Sequence, residues 1–343
     1  MKHDFIDLFA GIGGIRLGFE QAGFNCVFGS EIDPYCRLTY EAFFGKSPQN
    51  TDITELTKNT SNIQQSIPKH NILTGGFPCQ PFSLAGVSKK VSMNKPHGFD
   101  DETSGTLFFD IKQIIKAKEP DVIFLENVKN LRSHNNHKTY DIIYKTLENP
   151  KQGLEYIVNE KVIDASKWVP QHRERIFIIG VKKDFKENVN KELIDLIFPI
   201  EPSSRRLELN EILIDSPDKK YTLKDGTWLA LQNHRKRHSK KGNGFGYGKI
   251  EPPFRDKSTR TLSARYYKDG AEILIMHDSK KNPRRLTPLE CFRLMGFPKG
   301  LEKYYNGEVE QPVSNHQSYK QFGNSVVVPL IYDIARNIKN VLF

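Results

Sequence analysis

The sequence predicts an α/β fold in which a mostly parallel sheet is flanked by helices and joined to a smaller, less regular second domain. Three observations predict it. Short β-type runs alternate with amphipathic stretches through the first half of the 343-residue chain. That alternation stops after about Lys183, where turn-rich sequence takes over. The last stretch, VVPLIYDIARNIKNVLF, has helical periodicity and reads as an element that returns to the first domain.

In chain order, the strand candidates are HDFIDLF, NCVFGSE, NILTGG, DVIFLENV, EYIVNEKVI and RIFIIGV. Between them, GIRLGFEQA and TLFFDIKQIIKAKEP carry helical spacing; in the second, Leu107, Ile111, Ile114 and Ile115 share a face and Pro120 ends the segment. Strands and helices alternating at these lengths build a parallel sheet with helices on both faces. Beyond Lys183 come SSRR, SPDKK, KKGNGFGYG and EPPF, all turn-forming. The expected division is therefore residues 1–184 with 320–343 as one domain and 185–319 as the other.

Composition narrows the class. With 37% hydrophobic and 27% charged residues, the chain is neither disordered nor built for a bilayer. No apolar run approaches the roughly 20 residues of a membrane span, and Asp4 and Asp7 break the first apolar stretch, so no secretory signal is read and a cytoplasmic location is expected. Cys26, Cys36, Cys79 and Cys291 make neither a Cys-x-x-Cys pair nor a zinc spacing, so no metal site is expected. The net charge of +10 is concentrated: Gln232 to Lys268 holds eleven Lys/Arg against two acids. Interleaved with Phe245, Tyr247, Tyr266 and Tyr267, that window has the composition of a polyanion-binding surface or of a solvated basic loop.

Five constellations carry chemistry. DLFAGIGG puts Gly11, Gly13 and Gly14 between a strand and a helix, and Glu31 closes the next strand. That pattern suits an adenosine-containing cofactor, with the acid on a ribose diol, and does not distinguish NAD from S-adenosylmethionine. Asp52 and Ile53 could add an adenine contact. In GGFPCQPFSLAG, Cys79 follows a strand in a Pro-containing turn at the carboxyl edge of the sheet, where open α/β sheets hold their sites. Most cysteines are buried and inert, and reactivity requires a thiolate that nearby positive charge favours. Glu126 ends DVIFLENV and either caps a turn or faces the same cleft. In QHRERIFIIG, Arg173 and Arg175 alternate onto one face and call for an anionic or carbonyl-bearing partner. In YKQFGNSVVVP, Asn324 could complete the cofactor site from the far end of the chain.

Taken in order, DLFAGIGG, GFPCQPFS, GTLFFD, ENV, QHRERI, RRLTPLECFRLMGFP and QFGNSVVVP resemble the motif set of the bacterial cytosine-5 DNA methyltransferases, from about residue 3 to about residue 337. The resemblance implies a Rossmann-like class I methyltransferase fold, S-adenosylmethionine as cofactor without a metal, and double-stranded DNA as partner. It also implies action as a monomer. By the same resemblance Cys79 is the nucleophile for carbon 6 of a flipped-out cytosine, and Glu126 bonds ring nitrogen 3 and the exocyclic amine. Arg175 then holds the cytosine carbonyl oxygen, and Arg173 supports the thiolate side and a nearby phosphate. Phe9, Gly11, Gly13, Glu31, Ile32, Asp52, Ile53, Leu107, Asn324 and Val326 match cofactor-contacting positions, with Ile32 where relatives often carry Trp.

Ser83 to Ser104 is similar to the loop that closes over the flipped base, and Thr261-Leu262 matches a positional element of the recognition region. KKGNGFGYG, RTLSARYYKDGAEILI and LAGVSKK resemble Dcm-type enzymes, which implies a CCWGG or CCNGG target. A cognate restriction endonuclease could accompany such an enzyme in the cell without binding it. tRNA methyltransferases of this fold typically carry Pro-Pro-Cys, against Phe77-Pro78-Cys79 here. A silent DNA binder would be expected to have lost Cys79 or Glu126, and a NAD oxidoreductase explains neither the Pro-Cys turn nor the arginine pair.

Overall fold

The computed structural model describes residues 3–48, 52–78, 107–134, 137–152, 154–242, 246–278 and 281–343. Cys79 and the expected closing loop lie outside the described residues, as does Phe245.

Six strands form the main sheet: β1 (Asp4–Leu8), β2 (Asn25–Ser30), β3 (Ile72–Gly76), β4 (Val122–Val128), β5 (Tyr156–Asp164) and β6 (Glu174–Lys182), in the order β2-β1-β3-β4-β6-β5. Each falls on one of the apolar runs read from the sequence. The first four are parallel, but β6 runs antiparallel to both β4 and β5. The reason is the connection. Only residues 165–173 join β5 to β6, fewer than the dozen or so that a parallel crossover takes. The order turns back at β1, and the carboxyl ends of β1, β3 and β4 open side by side into one cleft.

Helices cover both faces, over two separate apolar clusters. One gathers Ile6, Leu8, Leu73, Ile123 and Ile178 beneath helix Leu107–Lys118; the other gathers Phe5, Phe124, Phe177 and Ile179 beneath helices Gly14–Gln21 and Val328–Leu342. Alternate residues of each strand serve opposite faces, as the pleat requires. The closing helix Val328–Leu342 does return to the first domain. Trp168 Nε1 and the Ser203 amide both donate to Asp333 Oδ2, at 2.8 and 2.9 Å. Against helix Gly14–Gln21 the approach is close enough that a Cβ on Gly18 would stand 2.6 Å from Ile331 Cγ2 and 2.8 Å from the Tyr332 amide nitrogen.

The turn-rich segment is less regular, as expected: short helices Lys191–Asp195 and Leu209–Ile212, the longer Asp225–Lys240, and a two-stranded pairing of β7 (Lys249–Ile250) with β8 (Leu274–Ile275). Its later part is firmly built. Helix Pro288–Leu294 has a Thr287/Glu290 capping box, and Arg284 grips the buried Glu290 through two bonds of 2.8 Å. Phe292 and Phe297 pack on Phe43 of helix Pro34–Phe44, and the apolar cluster that contains Phe292 also holds Phe322 and Ile331. Packing is therefore continuous across the division expected at residues 319 and 320. Among the described residues no helix is long and apolar enough to cross a membrane.

The close helix contact yields a stability test. Gly18→Ala must push apart two helices held by a backbone atom and a β-branched side chain, so it is expected to lower unfolding stability by roughly 1–3 kcal/mol. Urea unfolding of the purified variant checks it, and an unchanged midpoint would contradict the close helix contact.

Candidate active site

The site is built at the carboxyl edge, and its first part is the glycine turn. After β1 the chain takes positive φ at Phe9 (56°), Gly11 (56°) and Gly13 (82°) before helix Gly14–Gln21 begins. At Gly13 a side chain is excluded twice, by φ and by Phe44, whose Cε2 lies 2.3 Å from where a Cβ would stand. At Gly11 that position meets nothing within 4 Å, so the turn is open on the cleft side. Glu31, just beyond β2, is held by two amides: Gly11 N donates to Oε2 and Asp33 N to Oε1, both at 2.7 Å. Burial raises the Glu31 pKa, and these two amide bonds oppose the rise. Beside it Ile32 is 63% exposed, so its side chain is open to contact at the edge of the cradle.

Other expected cofactor residues lie around this cradle with different roles. Asp52 caps helix Ile53–Leu56 by accepting from the Thr54 amide at 2.9 Å, while Ile53 is buried in the core. That helix is tied to helix Leu107–Lys118 by the Thr57 to Asp110 hydrogen bond, and Leu107 opens the latter helix half-buried. From the far end of the chain, Ser325 Oγ and Val326 Cγ2 come within 3 Å of where a Cβ on Gly14 would stand. Val326 is buried there and Asn324 is exposed. The structure thus joins the first glycine motif to the last motif of the sequence.

The second part is a charged pair. Strand register sets Glu126 beside Gly76, the last residue of β3, from which Phe77 and Pro78 lead toward Cys79. Antiparallel register sets Arg175 opposite Val128, two residues further along β4. Arg175 Nε meets Glu126 Oε1 at 3.0 Å, with side chains 15% and 12% exposed. Arg175 Nη1 also donates to the Glu174 carbonyl at 2.8 Å, which fixes its plane. Burial raises the Glu126 pKa, and the charges of Arg175 and Arg173 oppose it without cancelling it. A carboxyl held in this way can keep or give up a proton, as acid/base work requires.

Sequence reasoning missed Asn127. Its Nδ2 donates to the Phe77 carbonyl at 2.8 Å in a buried setting, so it anchors the chain two residues before Cys79. Its place in ENV was visible; the carbonyl it would find, 50 residues away, was not.

Arg173 is placed differently from its neighbour. Although it shares the strand face with Arg175, it is 1% exposed and its guanidinium turns inward. Nη1 donates to the Leu262 carbonyl at 2.8 Å, and Nη2 to the carbonyls of Gly323, at 2.9 Å, and Ser325. Nη1 and Nη2 are thus engaged while Nε is buried without a partner among the described residues, and the guanidinium is a joint between three segments. Around it residues 170–173 run alongside 259–262. Thr259 N donates to the Pro170 carbonyl (2.8 Å), His172 N to the Thr259 carbonyl (2.9 Å), Leu262 N to Gln171 Oε1 (2.8 Å) and Thr261 Oγ1 to the His172 carbonyl (2.6 Å). Thr261 and Leu262 are thereby occupied in docking, in keeping with a positional role.

A family model described as C-5 cytosine-specific DNA methylase matches residues 3–340. The chain belongs to that family. It is 44% identical to the DNA-cytosine methyltransferase of Escherichia coli K12, over 97% of this chain and 76% of that protein. It is 45% identical to the type II methyltransferase M.DsaV of Dactylococcopsis salina, over 97% of this chain and 85% of that one. The type II methyltransferase M.HhaI of Haemophilus parahaemolyticus is 36% identical over 98% of this chain and 94% of its own length. Among solved structures, S. pombe Dnmt2 methyltransferase aligns with a TM-score of 0.71 at 18% identity, covering both chains fully. Entamoeba histolytica methyltransferase EhMeth aligns at 0.69 and 18% identity, over 99% of each chain. These two likenesses bear out the fold class, a Rossmann-like class I methyltransferase. The family implies use of S-adenosylmethionine, and the Gly11–Glu31 cradle beside an exposed Ile32 fits an adenosyl group.

The two arginines can be separated by substitution. Arg173→Lys retains charge but replaces a spread fork with one compact ammonium nitrogen that does not span the same three carbonyls, so stability should fall by roughly 2–4 kcal/mol, with weaker S-adenosylmethionine binding because Gly323 and Ser325 flank Asn324. Arg175→Lys should leave the unfolding midpoint near wild type and reduce turnover at least tenfold. Denaturation, calorimetric titration with the cofactor and turnover together check this, and the reverse pattern would refute the assignment.

Proposed function

We propose that this chain methylates carbon 5 of a cytosine within a specific duplex DNA sequence, using Cys79 as nucleophile. The observation that carries the reading is the Glu126–Arg175 pair, set beside the strand end that leads to Cys79 and sharing the sheet edge with the Gly11–Glu31 cradle.

The target base must leave the stack to meet groups placed in this way. Arg175 donates to the cytosine carbonyl oxygen, and Glu126 engages ring nitrogen 3 and the exocyclic amine. The Cys79 thiolate bonds to carbon 6 while Glu126 supplies a proton at nitrogen 3, and the carbon 5–carbon 6 double bond opens into an electron-rich enamine. S-adenosylmethionine, when bound, supplies an electrophilic methyl group to carbon 5. The carbon 5 proton then leaves to a base, the Cys79 sulfur departs with its bonding pair to restore the double bond, and nitrogen 3 returns its proton to Glu126. Gly11, Gly13 and Glu31 would hold the adenosyl part with Ile32 against its ring, and Phe9, Asp52, Ile53, Leu107, Asn324 and Val326 would shape the rest. Arg173 positions the Asn324 segment and acts through it. Residues 185–319 would choose the site by contacts in the major groove, and residues 83–104 would close over the base. The Dcm-like segments favour CCWGG or CCNGG, and M.DsaV, a type II methyltransferase, supports a place beside a restriction endonuclease.

Labelled methyl transfer from S-adenosylmethionine to duplex DNA and to tRNA, by wild type and Cys79→Ser, tests this. Label in DNA that vanishes in the variant is expected, and bisulfite sequencing should place it in CCWGG or CCNGG. Label in tRNA alone would contradict the substrate, and 5-methylcytosine in another context would contradict the site.

A further inference from the structure

The helix Asp225–Lys240 stands apart from the rest of the fold, since none of its residues is buried. Its 16 residues make a rod about 24 Å long, and such a helix gains little from tertiary packing, the usual source of helix stability. One side is attached. Trp228 packs edge-on against Tyr247 at 4.8 Å between ring centres, and the Arg235 guanidinium lies 4.9 Å over the same ring. At 3.6 residues per turn, Arg237 and Lys240 fall on the other side and Lys236 on the flank, with Lys241 directly after, and all four are exposed.

Charge balance makes this face unusual. Among the described residues, Arg235, Lys236, Arg237, Lys240 and Lys241 have no carboxylate partner. Some lysines elsewhere pair, as Lys182 does with Glu119 and Lys320 with Asp33, and others among the described residues stand alone; here five unpaired cations are gathered within seven residues. The helix dipole favours cations in the last turn, but Asp225, at the far end, is the helix's one acid, and that absence of compensation is left unexplained. At the root of the helix, a cavity of about 370 Å³ is lined by Arg235, Tyr247, Lys249, Ser258 and Arg260, extending the positive strip into the domain. Arg260 is fixed there by its bond to the Gly246 carbonyl (2.6 Å), and Lys249 is paired with Glu251 (2.8 Å).

We infer that this helix is a sequence-independent contact to the phosphate backbone of duplex DNA, a basic arm that sets affinity and leaves site choice to other parts of the domain. The inference rests on the reading that duplex DNA is the substrate. The charges are complementary to a polyanion, and the face is mostly lysine, a flexible point charge suited to phosphates; base edges are read by rigid forked donors.

The test combines Lys236→Gln, Arg237→Gln, Lys240→Gln and Lys241→Gln, with Lys236→Gln alone as a milder variant. Binding to a cognate and an unrelated duplex is measured by fluorescence anisotropy across a salt series, with circular dichroism to verify that the helix is retained. Each lost phosphate contact should reduce the slope of log K against log salt by about 0.9. The combined variant should therefore lose about 2–4 in slope and bind both duplexes at least tenfold more weakly at fixed salt, while turnover at saturating DNA and the methylated site stay unchanged. A slope equal to wild type would overturn the inference and leave a solvated helix. Loss confined to the cognate duplex, or methylation at a new site, would overturn it in favour of base reading. Wild-type protein that neither binds nor methylates duplex DNA would instead bring down the substrate reading.

Discussion

The site depends on where Arg173 can put its charge. A guanidinium with almost no access to water is costly unless its donors are used, and here the two terminal nitrogens are used on carbonyls of Leu262, Gly323 and Ser325 while Nε stays without a partner among the described residues. Three segments far apart in sequence are held at one point: the start of β6, the docked stretch of the turn-rich domain, and the loop that closes the glycine turn. Arg175, two residues on, is left free to face Glu126. A pair of arginines that looks redundant in sequence divides into one that builds and one that faces the cleft.

This division explains how a site can draw on both ends of a chain without being loose. The Gly11–Glu31 cradle is backbone held by a carboxylate, Asn127 ties β4 to the chain before Cys79, and the Glu126–Arg175 pair sits on adjacent strands. Each group stands on a strand end or on a segment bound to one. A group held by the sheet requires little reorganisation when a reaction develops charge nearby, which is where fixed dipoles and ion pairs help most. Glu126 shows the balance, because burial favours its protonated form and the neighbouring arginines oppose this.

Much of this was legible in the sequence and some was not. The strands of the main sheet could be read because apolar runs bounded by Gly, Pro and Asp carry their own signature, and the glycine motif announced a cradle. A mostly parallel sheet was legible, but which strand would be reversed was not, because alternation carries no sign; the nine residues from 165 to 173, too few for a parallel crossover, held the clue that β6 runs against β5 and β4. The partners of Arg173 and Asn127 were invisible for a different reason. They are backbone carbonyls of residues 50 to 152 positions away, and carbonyls leave no mark in a sequence. The exposed helix Asp225–Lys240 was legible as charge, while its attachment through Trp228 and Tyr247, 19 residues apart, left no pattern in the sequence.

The central claim is that Cys79 forms a bond to the base during methyl transfer. Duplex DNA carrying 5-fluorocytosine at the target position tests it most directly, because once carbon 5 is methylated there is no proton to remove and the sulfur cannot leave. Intact-mass measurement after incubation with S-adenosylmethionine should find a one-to-one protein–DNA adduct, and peptide mapping should locate it on Cys79. An adduct on Cys26, Cys36 or Cys291, or methylation of ordinary DNA with no adduct on the fluorinated duplex, would contradict the account.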